Sequence, residues 1–260
     1  KAVLTRATTP GIEPFEQPLG PPELSIPAVR GPSGSVLHLM DNSLELDRVW
    51  ELEFDAKTAD HGAGLTQIDH IAQTMSYEDM LSWTLFYASL FDMKKLPMVD
   101  VFDPDGLVRS QVVQSQSGAL KITLNGADTH RTLAGSFLAE TFGASVQHVA
   151  FATNDIFATA QDLADRGFGA LPMPANYYDD LAARFDIDPD MFAGLKAANI
   201  LYDRDDHGAF FQLYSKPFAN GMFFEIIQRC DDYQGFGGPN APFRIAAQKR
   251  LLRTKGVPNL

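Results

Sequence analysis

Two stretches of this chain place a histidine in the middle of an otherwise apolar, strand-like pattern. His70 lies in "LTQIDHIAQTM", and His148 lies 78 residues later in "ASVQHVAFATN". Side chains alternate across a β-strand, so His70 is expected to share a face with Ile68 and Ala72, and His148 with Ala150. One such histidine is typical of a core residue with a hydrogen-bond partner. Its repetition favours a duplicated structural unit in which both histidines have the same role.

The predicted secondary structure repeats together with the histidines. The pattern predicts two copies of a histidine-bearing strand, an amphipathic helix and then three strands, and the second copy contains an insertion, 174–198, that is predicted to be helical. The segments are 65–75, 77–91, 107–115 and 118–126 in the first copy, and 145–153, 155–167, 199–205, 209–215 and 222–229 in the second. We expect Leu81 and Leu85 on the apolar side of the first helix, and Asn154 or Asp155 to cap the second helix, which ends at Gly167. The repeat predicts α+β units that build one curved sheet.

The composition allows a sizeable core and excludes several classes of function. The chain has 260 residues, 45% of them hydrophobic, as expected for one large domain or two small ones. No apolar run approaches the ~18 residues of a membrane span. The 33 acidic against 21 basic residues argue against nucleic-acid partners, and the single Cys230 excludes an internal disulfide framework. We therefore expect a cytoplasmic protein, with no membrane partner, that binds a metal or a small molecule; a homo-oligomer is compatible with this pattern.

The N-terminal part differs from the repeat, because it is rich in proline and glycine and continues into a polar stretch. We expect residues 1–60 to be the tail of a truncated unit plus a connector, and residues 65–260 to form the main domain. Its modules are expected at about 65–130 and 144–235, followed by a short amphipathic helix at 240–252.

Glu225 is the third unusual polar residue, since "GMFFEIIQR" surrounds it with apolar side chains. A buried carboxylate is costly unless a cation neutralises it. Arg229 or Lys121 would give a structural ion pair, whereas a divalent metal would be shared with His70 and His148. Two imidazoles and one carboxylate with open positions are the ligand set of non-haem Fe(II) oxygenases, and Zn or Mn can use it too.

The duplication predicts one metal site and not two. By sequence offset, the first copy has Ile122 where the second has Glu225. The other histidines are expected to be solvated, because they lie in loops or at strand edges without a matching carboxylate; they are His38, His61, His130 and His207.

Seven segments resemble, in order, the C-terminal part of 4-hydroxyphenylpyruvate dioxygenases of the vicinal oxygen chelate superfamily. They extend from about residue 65 to 248 and read "IDHIAQ", "RSQVVQSQSGALKITLN", "VQHVAFATNDIFAT", "ANYYDDLAARF", "NILYDRDDHGAFFQLYSKP", "FFEIIQR" and "GFGGPN". The resemblance implies paired βαβββ modules that form a curved, half-barrel mixed sheet. It implies that His70, His148 and Glu225 bind Fe(II), although Mg, Mn, Co and Zn can occupy such a site, and that the helix at 240–252 is a lid. Residues 1–60 would be the end of the family's N-terminal domain.

The same resemblance implies pocket residues that orient a 2-oxo acid, and it also shows departures from the family. The polar residues are Ser110, Asn125, Gln147 and Gln212, with Phe236 beside them and Tyr214 where the family has Phe. The family's Asn-Glu-Pro motif is "NGA" here. Leu133 aligns with a substrate-side glutamine, and Ala241 replaces a phenylalanine that closes over the substrate ring. A substrate different from 4-hydroxyphenylpyruvate is therefore expected.

These departures and "GFGGPNAPFRIAAQ" are similar to one branch of the family, the dioxygenase-like module fused behind a barrel in bacterial 3-dehydroshikimate dehydratases. Three functions follow as hypotheses. The first is an Fe(II) dioxygenase that acts on a 2-oxo acid. The second is a metal-binding module of a dehydratase whose catalytic barrel is absent here. The third is a chelate-fold binding domain without turnover.

Overall fold

The computed structural model describes residues 2–8, 10–21, 23–40, 48–55 and 61–253. Its strands are β1 (Pro14–Phe15), β2 (Ala28–Arg30), β3 (Val36–His38), β4 (Leu65–Ser76), β5 (Lys94–Lys95), β6 (Val99–Asp103), β7 (Gly106–Gln114), β8 (Lys121–Ala127), β9 (Ser145–Thr153), β10 (Leu201–Arg204), β11 (Gly208–Tyr214) and β12 (Phe223–Asp231). Its helices are α1 (Ala2–Thr8), α2 (Val49–Leu52), α3 (Met80–Phe91), α4 (Leu133–Glu140), α5 (Ile156–Asp165), α6 (Ala175–Arg184), α7 (Pro189–Ala198) and α8 (Ala241–Arg253).

The two copies of the repeat share one mixed sheet. Its strand order is β10-β11-β12-β9-β4-β8-β7-β5, and β6 pairs with β7 at the same end. The histidine strands β4 and β9 lie side by side and antiparallel at the centre, while each runs parallel to the last strand of its own copy, β8 or β12. The predicted α+β class with paired modules and a curved mixed sheet is confirmed. β1, β2 and β3 form a separate small sheet.

Strand β4 is irregular around its histidine. Its register against β9 shifts between Ile68 and His70, and again between Ala72 and Gln73. Because of the first shift, Asp69 and His70 are both buried, whereas Ile68 is 51% exposed. The expectation that Ile68 shares the buried face of His70 is therefore wrong, since strict alternation ends at a bulge.

The first copy contains more strands than the sequence pattern indicates, because β5 and β6 are short and polar at several positions. Helix α3 also presents a different face to the core. Leu81 and Leu85 are exposed, and Trp83, Tyr87 and Leu90 are buried. The larger area of the aromatic face decides which side is removed from water.

The second copy follows its predicted pattern closely. Asp155 caps α5, where its side chain accepts a hydrogen bond from the N–H of Ala158, and Gly167 follows the helix with a positive φ of 86°. The insertion forms α6 and α7, as predicted. They pack against β10 and β11 through Tyr177, Leu181 and Leu195, each of which is fully buried.

The N-terminal elements pack against the first module. Ala7 of α1 and Val29 of β2 belong to the same apolar cluster as Trp83 of α3. Most of the predicted connector, residues 41–47 and 56–60, lies outside the described residues. Among the described residues, no helix is both long and apolar enough to cross a membrane.

Helix α8 is fixed at both ends. Gly237 has φ +60°, and a Cβ there would lie 2.1 Å from Oε1 of Gln212, so the chain needs glycine where it turns into the helix. Asn240 donates its side-chain N–H to Gln212 at 2.8 Å. Near the other end, Lys249 forms ion pairs with Asp103 and with Asp105.

The hydroxyl of Tyr177 connects α6, β10 and the start of α8, which predicts a specific stability effect. It accepts a hydrogen bond from the N–H of Tyr202 at 2.8 Å and lies 3.2 Å from Oδ1 of Asn240. Tyr177→Phe should lower the free energy of unfolding by about 1–3 kcal/mol in urea, because these buried groups lose a partner. Tyr178→Phe should cost less, since the carbonyl of Leu195 keeps its bond from the Ile200 N–H. Equal losses in the two variants would contradict this account.

Candidate metal centre

Three side chains converge because of how β4, β9 and β12 pair around Ala150. Ala150 is opposite His70 on one side and Glu225 on the other. Neighbouring strands lie about 4.8 Å apart, so the two long side chains reach over Ala150 from both flanks, and its methyl group leaves room for them. His148 lies two residues earlier on the same face of β9. The sheet therefore brings together the residues that the sequence singled out.

The three donor atoms form a nearly equilateral triangle. Nε2 of His70 is 3.4 Å from Nε2 of His148 and 3.4 Å from Oε2 of Glu225, and Nε2 of His148 is 3.3 Å from the same oxygen. The centre of such a triangle is about 1.9 Å from each atom, close to the ~2.0–2.1 Å of a metal–nitrogen bond. All three residues are buried, and their donor atoms could hold one metal ion.

A second carboxylate, Asp69, orients His70. Nδ1 of His70 lies 2.8 Å from Oδ1 of Asp69, so it carries the proton and leaves the Nε2 lone pair directed at the centre. Arg229 binds both oxygens of Asp69, at 2.9 and 3.0 Å, and Nζ of Lys121 is 3.2 Å away. The alternative in which Arg229 or Lys121 neutralises Glu225 is therefore wrong, because both cations bind Asp69.

His148 and Glu225 are held by packing and by an amide. The imidazole of His148 stacks on Phe223 with 4.7 Å between ring centroids, and its buried Nδ1 has no hydrogen-bond partner among the described residues. Oε1 of Glu225 accepts a bond from Nε2 of Gln212 at 2.8 Å. That bond leaves Oε2 of Glu225 free to face the two histidines.

The electrostatics of the site suit a cation. Burial raises the pKa of Asp69 and of Glu225, but hydrogen bonds with His70 and Arg229 at Asp69, and with both histidines at Glu225, outweigh it and keep each pKa below its usual range. Burial lowers the pKa of His148 to about 4, although Glu225 partly offsets it. Burial also lowers the pKa of His70, but its bonds to Asp69 and Glu225 raise it more. Two ionised carboxylates therefore face the histidines, and a cation bound at the centre would displace a proton from Nε2 of His70 while Nδ1 keeps its proton toward Asp69.

The pairing also shows which residue of the first copy corresponds to Glu225. Ala150 pairs with Glu225 on β12, and the equivalent Ala72 pairs with Thr123 on β8. The prediction of Ile122 is wrong by one residue, because a sequence offset ignores the register of the strands. Threonine is not a carboxylate, so the expectation of a single site does not change.

A cavity of about 360 Å³ opens onto the three donors. Of the predicted substrate residues, Ser110, Asn125 and Gln147 line this cavity. Ser110 and Asn125 are directly opposite on β7 and β8, and Oε1 of Gln147 accepts a bond from Thr74 at 3.0 Å. Gln212 lies behind Glu225, and its amide is used within the protein by Tyr214, Glu225 and Asn240.

The other cavity walls come from both modules and from α8. Phe236 contacts His70 edge to face, with 5.2 Å between ring centroids. Leu133 and Ala241, two of the positions expected to depart from the family pattern, both line the cavity. The remaining lining includes Leu96, Pro97, Val99, Val101, Asp103, Val108, Thr123, Tyr214, Gln234, Arg244 and Ile245. The histidines predicted to be solvated, His38, His61, His130 and His207, are exposed as expected.

Sequence reasoning did not assign roles to Asp69, Thr123 or Arg244. For Asp69 a signal was present, because a charged residue directly before a buried histidine in a strand is unusual. For Arg244 no local pattern separates a cavity residue from a solvated one on an amphipathic helix.

Comparisons with known proteins agree with this geometry. A family model described as the glyoxalase/bleomycin resistance protein/dioxygenase superfamily matches residues 67–193. The chain is 30% identical to a 4-hydroxyphenylpyruvate dioxygenase of Pseudomonas sp. (strain P.J. 874) over 264 residues, which cover 97% of this chain and 73% of that protein.

Two longer relatives are more similar in sequence. A 3-dehydroshikimate dehydratase of Pseudomonas aeruginosa is 40% identical over 252 residues, or 96% of this chain and 40% of the dehydratase. A solved structure of a xylose isomerase-like TIM barrel/4-hydroxyphenylpyruvate dioxygenase fusion protein has a TM-score of 0.78 and 39% identity, and it covers 96% of this chain and 39% of its own. The chain thus spans about 40% of the length of these two relatives.

Removal of the carboxylate should test the centre directly. Glu225→Ala leaves two neutral imidazoles and is expected to abolish binding of Co(II) or Fe(II) under anaerobic conditions, measured by calorimetry and by metal analysis after desalting. Glu78→Ala, which changes an exposed glutamate, should bind like the unaltered chain. Full metal uptake by Glu225→Ala would place the ion elsewhere.

Replacement of Asp69, the carboxylate that orients His70, should weaken metal binding less than replacement of Glu225. Asp69→Asn keeps the shape of the side chain but weakens its hold on the proton of His70, so metal affinity should fall by about 10–100-fold. The matched control is Asp180→Asn, which removes a carboxylate that pairs at the surface with Arg184. An unchanged metal affinity in folded Asp69→Asn, checked by circular dichroism, would show that Asp69 has only a structural role.

Proposed function

Because this chain belongs to the 4-hydroxyphenylpyruvate dioxygenase family of the vicinal oxygen chelate superfamily, we propose that it is a metal-dependent domain that binds a small 2-oxo acid. The observation that carries the proposal is the convergence of His70, His148 and Glu225 at the floor of a cavity. The proposed reaction class is dioxygenase-type chemistry with Fe(II), the ion that such a ligand set favours in oxygenases.

The proposed metal ligands are His70, His148 and Glu225. A bound Fe(II) ion would supply Lewis acidity toward the 2-oxo carboxylate and a site for O₂. Asp69 keeps the ring of His70 fixed, and Gln212 does the same for Glu225. The single negative charge of Glu225 leaves a divalent ion with a net positive charge, which attracts an anionic ligand.

The polar residues of the cavity would orient the substrate. Ser110, Asn125 and Gln147 offer hydroxyl and amide groups on three different strands, and each lines the cavity that contains the metal ligands. The apolar walls from β6 and β7 would exclude water from the rest of the bound acid. These residues act by binding and positioning, because none of them carries a charge.

We also propose that α8 is the cover of this site and that residues 65–253 act as one domain. Ala241, Arg244 and Ile245 of α8 line the cavity, and Lys249 ties the helix to the β6–β7 turn. Substrate access then requires movement of the glycine-rich segment 235–238, which precedes the helix.

The second candidate is a metal-binding module of a 3-dehydroshikimate dehydratase. The 40% identity to the Pseudomonas aeruginosa dehydratase over 252 residues favours it. In that case the cavity would bind a ligand or stabilise an assembly, and a different part of a longer protein would carry out the dehydration. Metal binding without O₂ consumption in the presence of any 2-oxo acid supports this candidate over the first.

The two departures in the cavity predict poor use of 4-hydroxyphenylpyruvate. Leu133 cannot offer the hydrogen bonds of a glutamine, which costs a buried ring hydroxyl about 1–3 kcal/mol, and Ala241 removes an aromatic wall worth about 0.5–1.5 kcal/mol. Phe243 does not replace that wall, since its ring packs on Tyr177. After anaerobic Fe(II) loading, the chain should bind simple 2-oxo acids but form homogentisate more slowly than about 1 s⁻¹.

The measurement combines metal analysis, O₂ uptake and product chromatography. The double variant Leu133→Gln with Ala241→Phe is expected to bind 4-hydroxyphenylpyruvate more tightly than the unaltered chain. Homogentisate formation by the unaltered chain at about 1 s⁻¹ or faster, which is a typical enzyme rate, would contradict the prediction made from Leu133 and Ala241.

A further inference from the structure

Arg244 places a positive charge in the wall of the metal cavity. It lies on the first turns of α8, and its guanidinium is 5.1 Å from the ring centroid of Phe223 and 5.6 Å from that of Tyr214. Phe223 is the ring on which His148 stacks. One aromatic ring therefore separates this cation from a proposed metal ligand.

No carboxylate in the described part of the chain pairs with Arg244. Glu225 is directed at the two histidines. Asp103 also lines the cavity, but its oxygens are taken by Lys249 and by the N–H groups of Leu133 and Asp105. In a chain with 33 acidic and 21 basic residues, a cation without a carboxylate at a partly enclosed cavity is unusual. Arg244 is partly buried, and a cation that loses part of its hydration is stabilised by a compensating anion or by strong acceptors.

The neighbour of Arg244 on α8 also offers unused donors. Nη1 of Arg244 donates to Oε1 of Gln248 at 2.7 Å. Gln248 is 0% exposed, and its Nε2 has no hydrogen-bond partner among the described residues. Gln248 lines a second cavity of about 390 Å³, which shares Leu133 and Gln147 with the first. Among the described residues, Gln248 is thus the acceptor for Arg244, while Nε2 of Gln248 has no acceptor of its own, and an anion would suit donors arranged in this way.

The net charge of the proposed complex also indicates that Arg244 needs an anionic partner. A divalent ion, the carboxylate of Glu225 and one chelating carboxylate sum to zero. A ligand with a single carboxylate would thus leave Arg244 without a counterion. A ligand with a second anionic group would satisfy both ends of the cavity.

We propose that Arg244, supported by Gln248, binds a second carboxylate of the ligand, so that the substrate is a small dicarboxylic acid. This inference rests on the proposed function, in which the 2-oxo acid end of the ligand binds at His70, His148 and Glu225. It adds that the end of the substrate far from the metal carries an anionic group and not a neutral aromatic ring.

The test compares two ligands that share the 2-oxo acid end and the carbon chain, one with a charged far end and one with a neutral far end. They are 2-oxoglutarate and its 5-methyl ester, and each is titrated into the Co(II)-loaded chain by calorimetry and by the visible spectrum of the cobalt. The diacid should bind at least about tenfold more tightly, because charged hydrogen bonds contribute more than neutral ones. 2-Oxoadipate and 2-oxohexanoate repeat the comparison at a longer spacing.

Two variants and a control test whether Arg244 and Gln248 cause the preference for the diacid. Arg244→Met should reduce the preference for the diacid to less than about twofold while Co(II) affinity stays the same. Gln248→Glu places a carboxylate where Arg244 already donates, so this internal anion should compete with the ligand and weaken diacid binding. The control is Arg166→Gln, which removes an arginine that pairs at the surface with Asp162. It should bind both ligands like the unaltered chain.

The outcomes distinguish failure of the proposed function from failure of the inference about Arg244. If neither acid perturbs the cobalt spectrum, the proposed function fails, and the inference fails with it. If both acids bind equally at both spacings, the inference alone is overturned. If Arg244→Met weakens binding of the diacid and of the ester by the same factor, Arg244 acts on the chelating end and the second carboxylate is excluded.

Discussion

The ion pair between Asp69 and Arg229 is the interaction on which the rest of the site depends. It connects the bulge of β4 to β12, and Arg229 continues from there to the carbonyls of Tyr233 and Gly235 and to the face of Phe236. One guanidinium thereby fixes the ring of His70, through Asp69, and the segment that leads into α8. A buried carboxylate without this partner would be strongly destabilising, and the bulge that buries it would be unfavourable. His70 and the segment that leads into α8 are thus parts of one network.

The duplication explains both the position of the centre and its asymmetry. Because β4 and β9 are antiparallel neighbours, equivalent histidines from the two copies face each other across the middle of the sheet. A perfectly symmetric pair would place two carboxylates there, one on β8 and one on β12. Thr123 occupies the position on β8, and its hydroxyl has no partner in the described part of the chain. The first copy therefore contributes one donor to the proposed metal site and an open side, while the second contributes two donors.

The sequence was sufficient for the fold class, most elements and the three converging residues, because each depends on a local pattern. The helix cap at Asp155 and the two histidine strands are examples. The sequence was insufficient where strand register or side-chain direction determines which residues are buried or line the site. The bulge at Asp69 shifts a face by one residue, so Ile68 was placed inside. Thr123 was missed by one position for the same reason, and the buried side of α3 was chosen by aromatic packing against Met75 and Leu124. Arg244 required the three-dimensional cavity, since nothing near it in the chain indicates a ligand.

The way α4 and α8 meet determines what the cavity can select. Asp103 accepts a bond from the N–H of Leu133 at the start of α4, and it also pairs with Lys249 of α8. The carboxylate of Asp103 therefore keeps Leu133 of α4 in the same cavity wall as Ala241 and Arg244 of α8. In the proposed site, alanine at position 241 gives little shape selection for a ring, whereas the guanidinium of Arg244, one turn later, would add selection by charge. Charge acts over a longer distance than packing, so the proposed ligand could be held at both ends without filling the space between them.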